Sequence, residues 1–292
     1  MIHAVRQTTL AATVLVLIAG LHFLQVQLDQ QRATTPKLQR FMYLPQGEYL
    51  RIAVLGYQQV VADLLWMQAI QAMGERTVSE EAGHWIAHAL DVIATLDPRF
   101  VRVYEVGGIA LTMLVPLVEE SNRLLEKGIQ HNPEVWQLLF LLGFNQYFDL
   151  HDDLKAAEYI SKASRLPGAP EFLAPFAARL YVSARAPQDA IVFLAQAYEH
   201  TTDENVRKVL EQRLKEVVVE RDLQLLEEAI SRYRELYKRA PARLEELAGP
   251  GLLRELPREP FGGRYLYDPQ TQSVRSSEVK ERMKFYAKRK PR

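Results

Sequence analysis

LLGFNQYFDLHDDLKAAEYISKASRLPGAPEFLAPFAARLYVSARAPQDAIVFLAQAYEH, residues 141–200, is the stretch on which the fold turns. Tyr147, Ala156, Ile160 and Ala163 recur in the same order as Tyr181, Ala190, Leu194 and Ala197, all at one fixed offset. A fixed period of about 34 residues marks a row of similar supersecondary units, each unable to bury its apolar face alone. The residue types suit two antiparallel helices per unit. Alanines let the second helix lie close to its neighbours, and the aromatic ring fills the gap near the end of the first. At a spacing of 35 upstream, Ser121, Leu125, Gly128 and Pro133 hold equivalent places, and Leu90 and Pro98 allow a weaker unit before that. IQHNP (129–133) and TLDP (95–98) read as turns that close units, because proline cannot continue a helix. The competing reading is a generic helical bundle whose alanines coincide.

Across roughly residues 80–220 the pattern resembles the tetratricopeptide-repeat family. It is most similar to membrane-anchored bacterial members, through LDPRF (96–100) and LLGFNQYF (141–148). Trp136, at a unit boundary, and Gly143, one place early, depart from the best-known repeat pattern. The resemblance implies an all-α fold, a right-handed α-solenoid of the tetratricopeptide kind, with a concave groove lined by the first helix of each pair. Projected through the period, the family's groove positions fall on Val106, Ala110 and Met113. They continue through Leu138, Leu141, Asn145, Phe148 and Asp149 to Phe172, Arg179, Val182 and Ser183. Asn145 and Arg179 stand where such repeats hold a peptide's backbone or carboxylate. A protein or peptide partner in this groove is the function the resemblance implies.

Working outward toward the amino end, RIAVLGYQQVVADLLWMQAIQAMG (51–74) is apolar on more than one face: Ile52, Leu55, Val60, Val61, Leu64, Leu65, Met67 and Ile70. A helix apolar around much of its circumference is expected to be buried. Residues 41–74 are also candidates for filling the groove themselves. Further out, Thr8–Leu28 is an almost unbroken apolar run, about the 20 residues a helix needs to cross ~30 Å of hydrocarbon. A cleaved signal peptide is the rival, but GLHFLQVQLDQQ has no small-residue cleavage site. Arg32, Lys37 and Arg40 follow the run and Arg6 precedes it, so the charge count does not itself place the amino end inside. The expectation is a single-pass anchor in the inner (cytoplasmic) membrane with a periplasmic body.

Toward the carboxyl end, Val206–Arg239 is heavily charged and helical, expected to begin as a capping helix and end as a second one. Five prolines (Pro241, Pro250, Pro257, Pro260, Pro269) then mark a change of character. Tyr265–Asp268 is expected to pair with Gln272–Ser276 as a short hairpin. This segment resembles the tail of type II secretion major pseudopilins. The matching residues are Pro241, Leu244, Leu247, Leu253, Leu256, Pro257, Pro260, Phe261, Gly262, Tyr265 and Tyr267. The pilin amino-terminal signature is missing, so the resemblance implies an envelope setting and not a pilus subunit. Residues 279–292 are a basic tail with Phe285 and Tyr286, suited to anionic lipid or to solvent.

The expected organisation is therefore an anchor (1–30), a linker with a capping helix (31–79), repeats (80–225), a helix and hairpin module (226–278) and the tail. The 292 residues carry 36 basic and 36 acidic side chains, which argues against nucleic-acid binding through bulk charge. The absence of cysteine excludes thiol catalysis, Cys-ligated metals and disulfides. His84 and His88 stand four apart, but Trp85 occupies the place where a zinc protease needs its Glu. No phosphate-binding glycine loop and no nucleophile elbow is present. The reading is a non-enzymatic scaffold or adaptor in an envelope assembly of secretion, pilus or export type, needing no cofactor. A structural subunit with a self-filled groove is the alternative, as is a small-ligand or enzyme site beside residues 241–277.

Overall fold

The structure, a computed structural model, describes residues 44–249 and 251–283 together with Gly20, His22 and Gln25. These residues are mostly helical. The run 8–28 otherwise lies outside them, and among the described residues no helix is long and apolar enough to cross a membrane. The chain divides into two compact units at Leu96/Asp97, inside the TLDP turn. The division falls within the stretch expected to be repeats.

The first unit contains α1 (Gly47–Ala53), α2 (Gln58–Met73) and α3 (Glu80–Leu96). Both α1 and α2 pack on α3. Helix α3 supplies the large core residues Ile86, Leu90, Val92, Ile93 and Leu96. The fully buried side chains of α2 are small: Ala62, Ala69 and Ala72 are buried, whereas Leu64, Met67, Val60 and Ile70 of α2, and Ile52 and Leu55 before it, are exposed. The expectation that these large side chains are buried is therefore wrong for six of the eight, while Val61 and Leu65 are half-buried. Small residues allow the closest helix approach, so α2 turns its alanine face inward and its bulky face outward.

The second unit runs α4 (Val101–Met113), α5 (Val118–His131), α6 (Trp136–Phe148), α7 (Asp153–Ala163), α8 (Leu173–Ser183), α9 (Pro187–His200) and α10 (Glu204–Tyr237). A 3-10 turn (Leu244–Leu247) and a hairpin, β1 (Tyr265–Asp268) and β2 (Ser273–Ser276), complete it. Each helix packs on the next; in addition α4 reaches α6 and α8 reaches α10. Short connections between packed helices make them antiparallel neighbours. The contacts repeat with the sequence. A side chain on Gly108 in α4 would collide with Leu125 in α5, and one on Gly143 in α6 with Ile160 in α7. In the third pair Ala177 and Leu194, both fully buried, stand at the same spacing. His151 and Arg185, one period apart in the turns of successive pairs, share a left-handed backbone, with φ of 54° and 57°. Asn132 stitches one turn to another, its side-chain nitrogen donating to the Pro98 carbonyl at 2.9 Å.

Helix starts follow local chemistry. The Asp152 carboxylate accepts from the Lys155 amide at α7, and Asp203 accepts from the Asn205 and Val206 amides at α10. Pro187 opens α9, where its missing N–H is no loss. Val206–Arg239 is not two helices. With no Gly or Pro between 204 and 237, α10 runs unbroken for 34 residues, about 50 Å. Its first half, through Leu210 and Val217, closes the core of α6–α9. Its second half, through Leu223, Leu226, Ile230 and Tyr233, carries the hairpin module. The expected boundary at 225/226 thus cuts a continuous helix. The hairpin pairs Tyr265 with Ser276 and Asp268 with Ser273, so Gln272 belongs to the turn, at φ 56°.

Candidate functional site

Helix α6 carries Trp136, Phe140, Phe144 and Phe148 at four-residue spacing, a row of rings along one side. Phe144 and Phe148 lie with ring centroids 4.2 Å apart, and Tyr147 stands edge-on to Phe148 at 4.8 Å and to Phe176 of α8 at 6.3 Å. Phe144, Phe148 and Phe172 are exposed, Phe148 at 52%. Phe140 and Leu141 are half-buried beside them. The opposite side of α6 is core: Leu138, Leu142, Asn145 and Gln146 are buried.

The expected groove is thus only partly a surface. Met113, Phe148, Asp149 and Phe172 are exposed, and Leu141, Arg179, Val106 and Ser183 are half-buried. Leu138, Val182 and Ala110 are core. Asn145, 4% exposed, is not a peptide handle. Its amide nitrogen donates to Ser121 Oγ and Asn122 Oδ1, both at 2.9 Å, and Ser121 Oγ donates to the Gly108 carbonyl at 2.8 Å. A buried amide needs such partners, and this one ties α6 to α5 and α4. The projected face is rotated from the open one by about a quarter-turn on α6, roughly one residue at ~100° per residue, so the two share Leu141 and Phe148. Phe140 and Phe144 were missed for that reason, although the i, i+4 aromatic row is plain in the sequence.

A second feature is a cleft of about 620 Å³ beside α10. Arg179 from α8, Arg213, Glu216 and Glu220 from α10, and Lys280 and Arg282 line it over an apolar floor of Val219, Leu223 and Val279. Arg213 pairs with Glu216 at 2.6 Å, and Arg282 with both Glu220 and Glu227. The Arg179 Nε is buried without a hydrogen-bond partner among the described residues. The start of the basic tail is therefore docked: Arg282 is held on α10, and Val279 and Met283 pack on the cores at its two ends.

The buried carboxylates are committed to holding this module. Asp222 accepts from Arg221 and, at 2.8 Å, from the Tyr265 hydroxyl. Burial first, and then that bond, push the Tyr265 hydroxyl far above the usual phenol range, so it remains a donor. Glu259 accepts from the Phe261 and Gly263 amides and from Ser276. Among the described residues no group of three or more His, Cys, Asp or Glu is placed to hold a metal. His88 Nε2 instead contacts the Leu44 carbonyl at 2.9 Å.

Compared with protein-family models, curated proteins and solved structures, the chain finds no match.

Proposed function

We propose that the chain is a membrane-tethered scaffold whose helix pairs form a tetratricopeptide-like right-handed α-solenoid and whose α6 aromatic face receives a protein partner in an envelope assembly. The exposed pair Phe144 and Phe148, with Phe140 and Leu141 on the same helix, is the observation that carries it. Clustered aromatic surface is uncommon on a protein with nothing to bind and is enriched at interaction hot spots. The recurring Gly108–Leu125, Gly143–Ile160 and Ala177–Leu194 spacings support the repeat reading. The apolar run 8–28 supports a tether in the inner membrane with the body on the periplasmic side. A tether of this kind raises the local concentration of what the scaffold holds. The commitment of Glu220, Asp222 and Glu259 to structural bonds favours a scaffold over a catalyst.

The test is co-purification from detergent-solubilised membranes. Phe144→Ser with Phe148→Ser is expected to lose the partner while helical content and melting temperature stay near those of the parent. A complex that survives the double substitution overturns the proposal.

The cleft at Arg179 favours a second reading, a small carboxylate or phosphate as ligand, because Arg179 lines it and has a buried guanidinium nitrogen without a hydrogen-bond partner among the described residues. Titration of the full chain with inorganic phosphate or a carboxylate-ended peptide would then raise its melting temperature, and Arg179→Gln would abolish the rise. No rise removes this reading.

A further inference from the structure

The outward face of α1 and α2 exposes many large apolar side chains, on the side of α2 away from its buried alanines, with Gln59, Asp63 and Gln71 as exposed polar residues among them. Tyr49 (69% exposed), Ile52 and Leu55 (85%) come from α1 and the turn after it. Tyr57, Val60, Leu64 (56%) and Met67 (58%) follow along α2. Val60, Leu64 and Met67 fall at i, i+4 and i+7, one stripe of a helix. Between positions 47 and 73 only Glu48, Arg51 and Asp63 are charged, and Glu48 pairs with Arg51 at 3.7 Å. The polar residues of α2 are otherwise glutamines: Gln58, Gln59, Gln68 and Gln71.

We infer that this face lies in the headgroup boundary of the bilayer, so that α1–α2 is an interfacial platform beside the tether. The inference rests on the tether proposed above. Three observations select lipid over a second copy or the chain's own amino segment. The apolar run ends at Leu28, and the connector 29–46 cannot carry α1 further than about 60 Å from it. That connector holds Arg32, Lys37 and Arg40 against Asp29 as its acid, the charge that anionic headgroups attract. Tyr49 and Tyr57, the aromatic type that prefers the membrane–water boundary, bracket the aliphatic stretch, and FMYL at 41–44 leads into it. An exposed helix face rich in large apolar side chains and poor in charge, close behind a basic stretch, suits a helix lying in the interface.

The chain has no cysteine, so single cysteines report cleanly. Leu64→Cys, Met67→Cys and, as control, Glu81→Cys on α3 are labelled with an environment-sensitive fluorophore in the full chain. Each is reconstituted into 3:1 phosphatidylcholine–phosphatidylglycerol vesicles with or without spin-labelled lipid. Quenching at 64 and 67 at least about twofold greater than at 81 is the expected result. Cosedimentation with vesicles without that difference overturns the platform and leaves the tether standing. No cosedimentation overturns both. Shielding of 64 and 67 that lipid quencher does not touch, with a doubled mass, assigns the face to a second copy and overturns the inference.

Discussion

Gly143 shows how one missing side chain shapes a helix pair. A Cβ there would stand 2.8 Å from the Ile160 side chain, closer than real Cβ contacts, with the Ala156 carbonyl at 3.2 Å. Gly143→Val is expected to destabilise the fold by about 1–3 kcal/mol in chemical denaturation, the usual range for overpacking. Phe148→Ala on the open side of the same helix should stay within about 0.5 kcal/mol. Asn145→Ala removes the donor to Ser121 and Asn122 and is expected to cost about 1–3 kcal/mol of stability without acting through partner contact. Tyr265→Phe takes one of the donors from Asp222, which is 1% exposed, and should cost a similar ~1–3 kcal/mol. The alanine period was legible as packing: Ala156, Ala163 and Ala190 are fully buried in helices, and Ala197 is half-buried against the same core. The role of Asn145 was not legible. Its partners Ser121 and Asn122 sit on the preceding helix, distant in sequence, and only the rotation of α6 about its axis decides whether an amide meets them or solvent.

At the scale of elements, α10 is the spine on which two cores meet. Its continuity follows from a run with no helix breaker, yet charge density alone suggested two segments, because the register of buried residues shifts from one core to the other near Val217–Val219. The hairpin was legible to within one residue from its alternating pattern and proline turn. The face of α2 was not, since a helix apolar all round does not say which side its neighbour takes; the neighbour's large side chains selected the alanines. The Glu246 carboxylate links the 3-10 turn to α10 through the Tyr233 hydroxyl, so this attachment is expected to depend on pH. The Tyr233 hydroxyl, then Arg239 and the Ala242 amide, hold Glu246 below the usual carboxylate range. Thr271 and the Gln270 amide do the same for Asp268 in the hairpin turn. A depressed carboxyl stabilises the fold above its unfolded value and loses that contribution as pH falls through the folded one. Amide exchange in residues 240–277 is therefore expected to accelerate, relative to α6–α8, as pH is lowered below the ordinary carboxylate range. Equal protection of both regions across that range contradicts the assignment.

At the scale of the whole molecule, an apolar amino segment precedes a sequence that recurs at one period, and among the described residues α6 keeps Phe144 and Phe148 exposed. Helical class and the presence of a carboxyl-terminal module could be read without coordinates, because period and proline content are local properties. The side of α6 left open could not, because it depends on how α4, α5, α7 and α8 close around it. Photo-crosslinking tests the central claim most directly. A benzophenone amino acid is placed at 140, 141, 144 or 148 of the full chain, or at Glu134 and Gln196 as controls, and the expressing cells are irradiated. A partner seated on α6 predicts one discrete adduct shared by the α6 positions and absent from both controls. Adducts of equal yield from the controls, or none from α6, would contradict it.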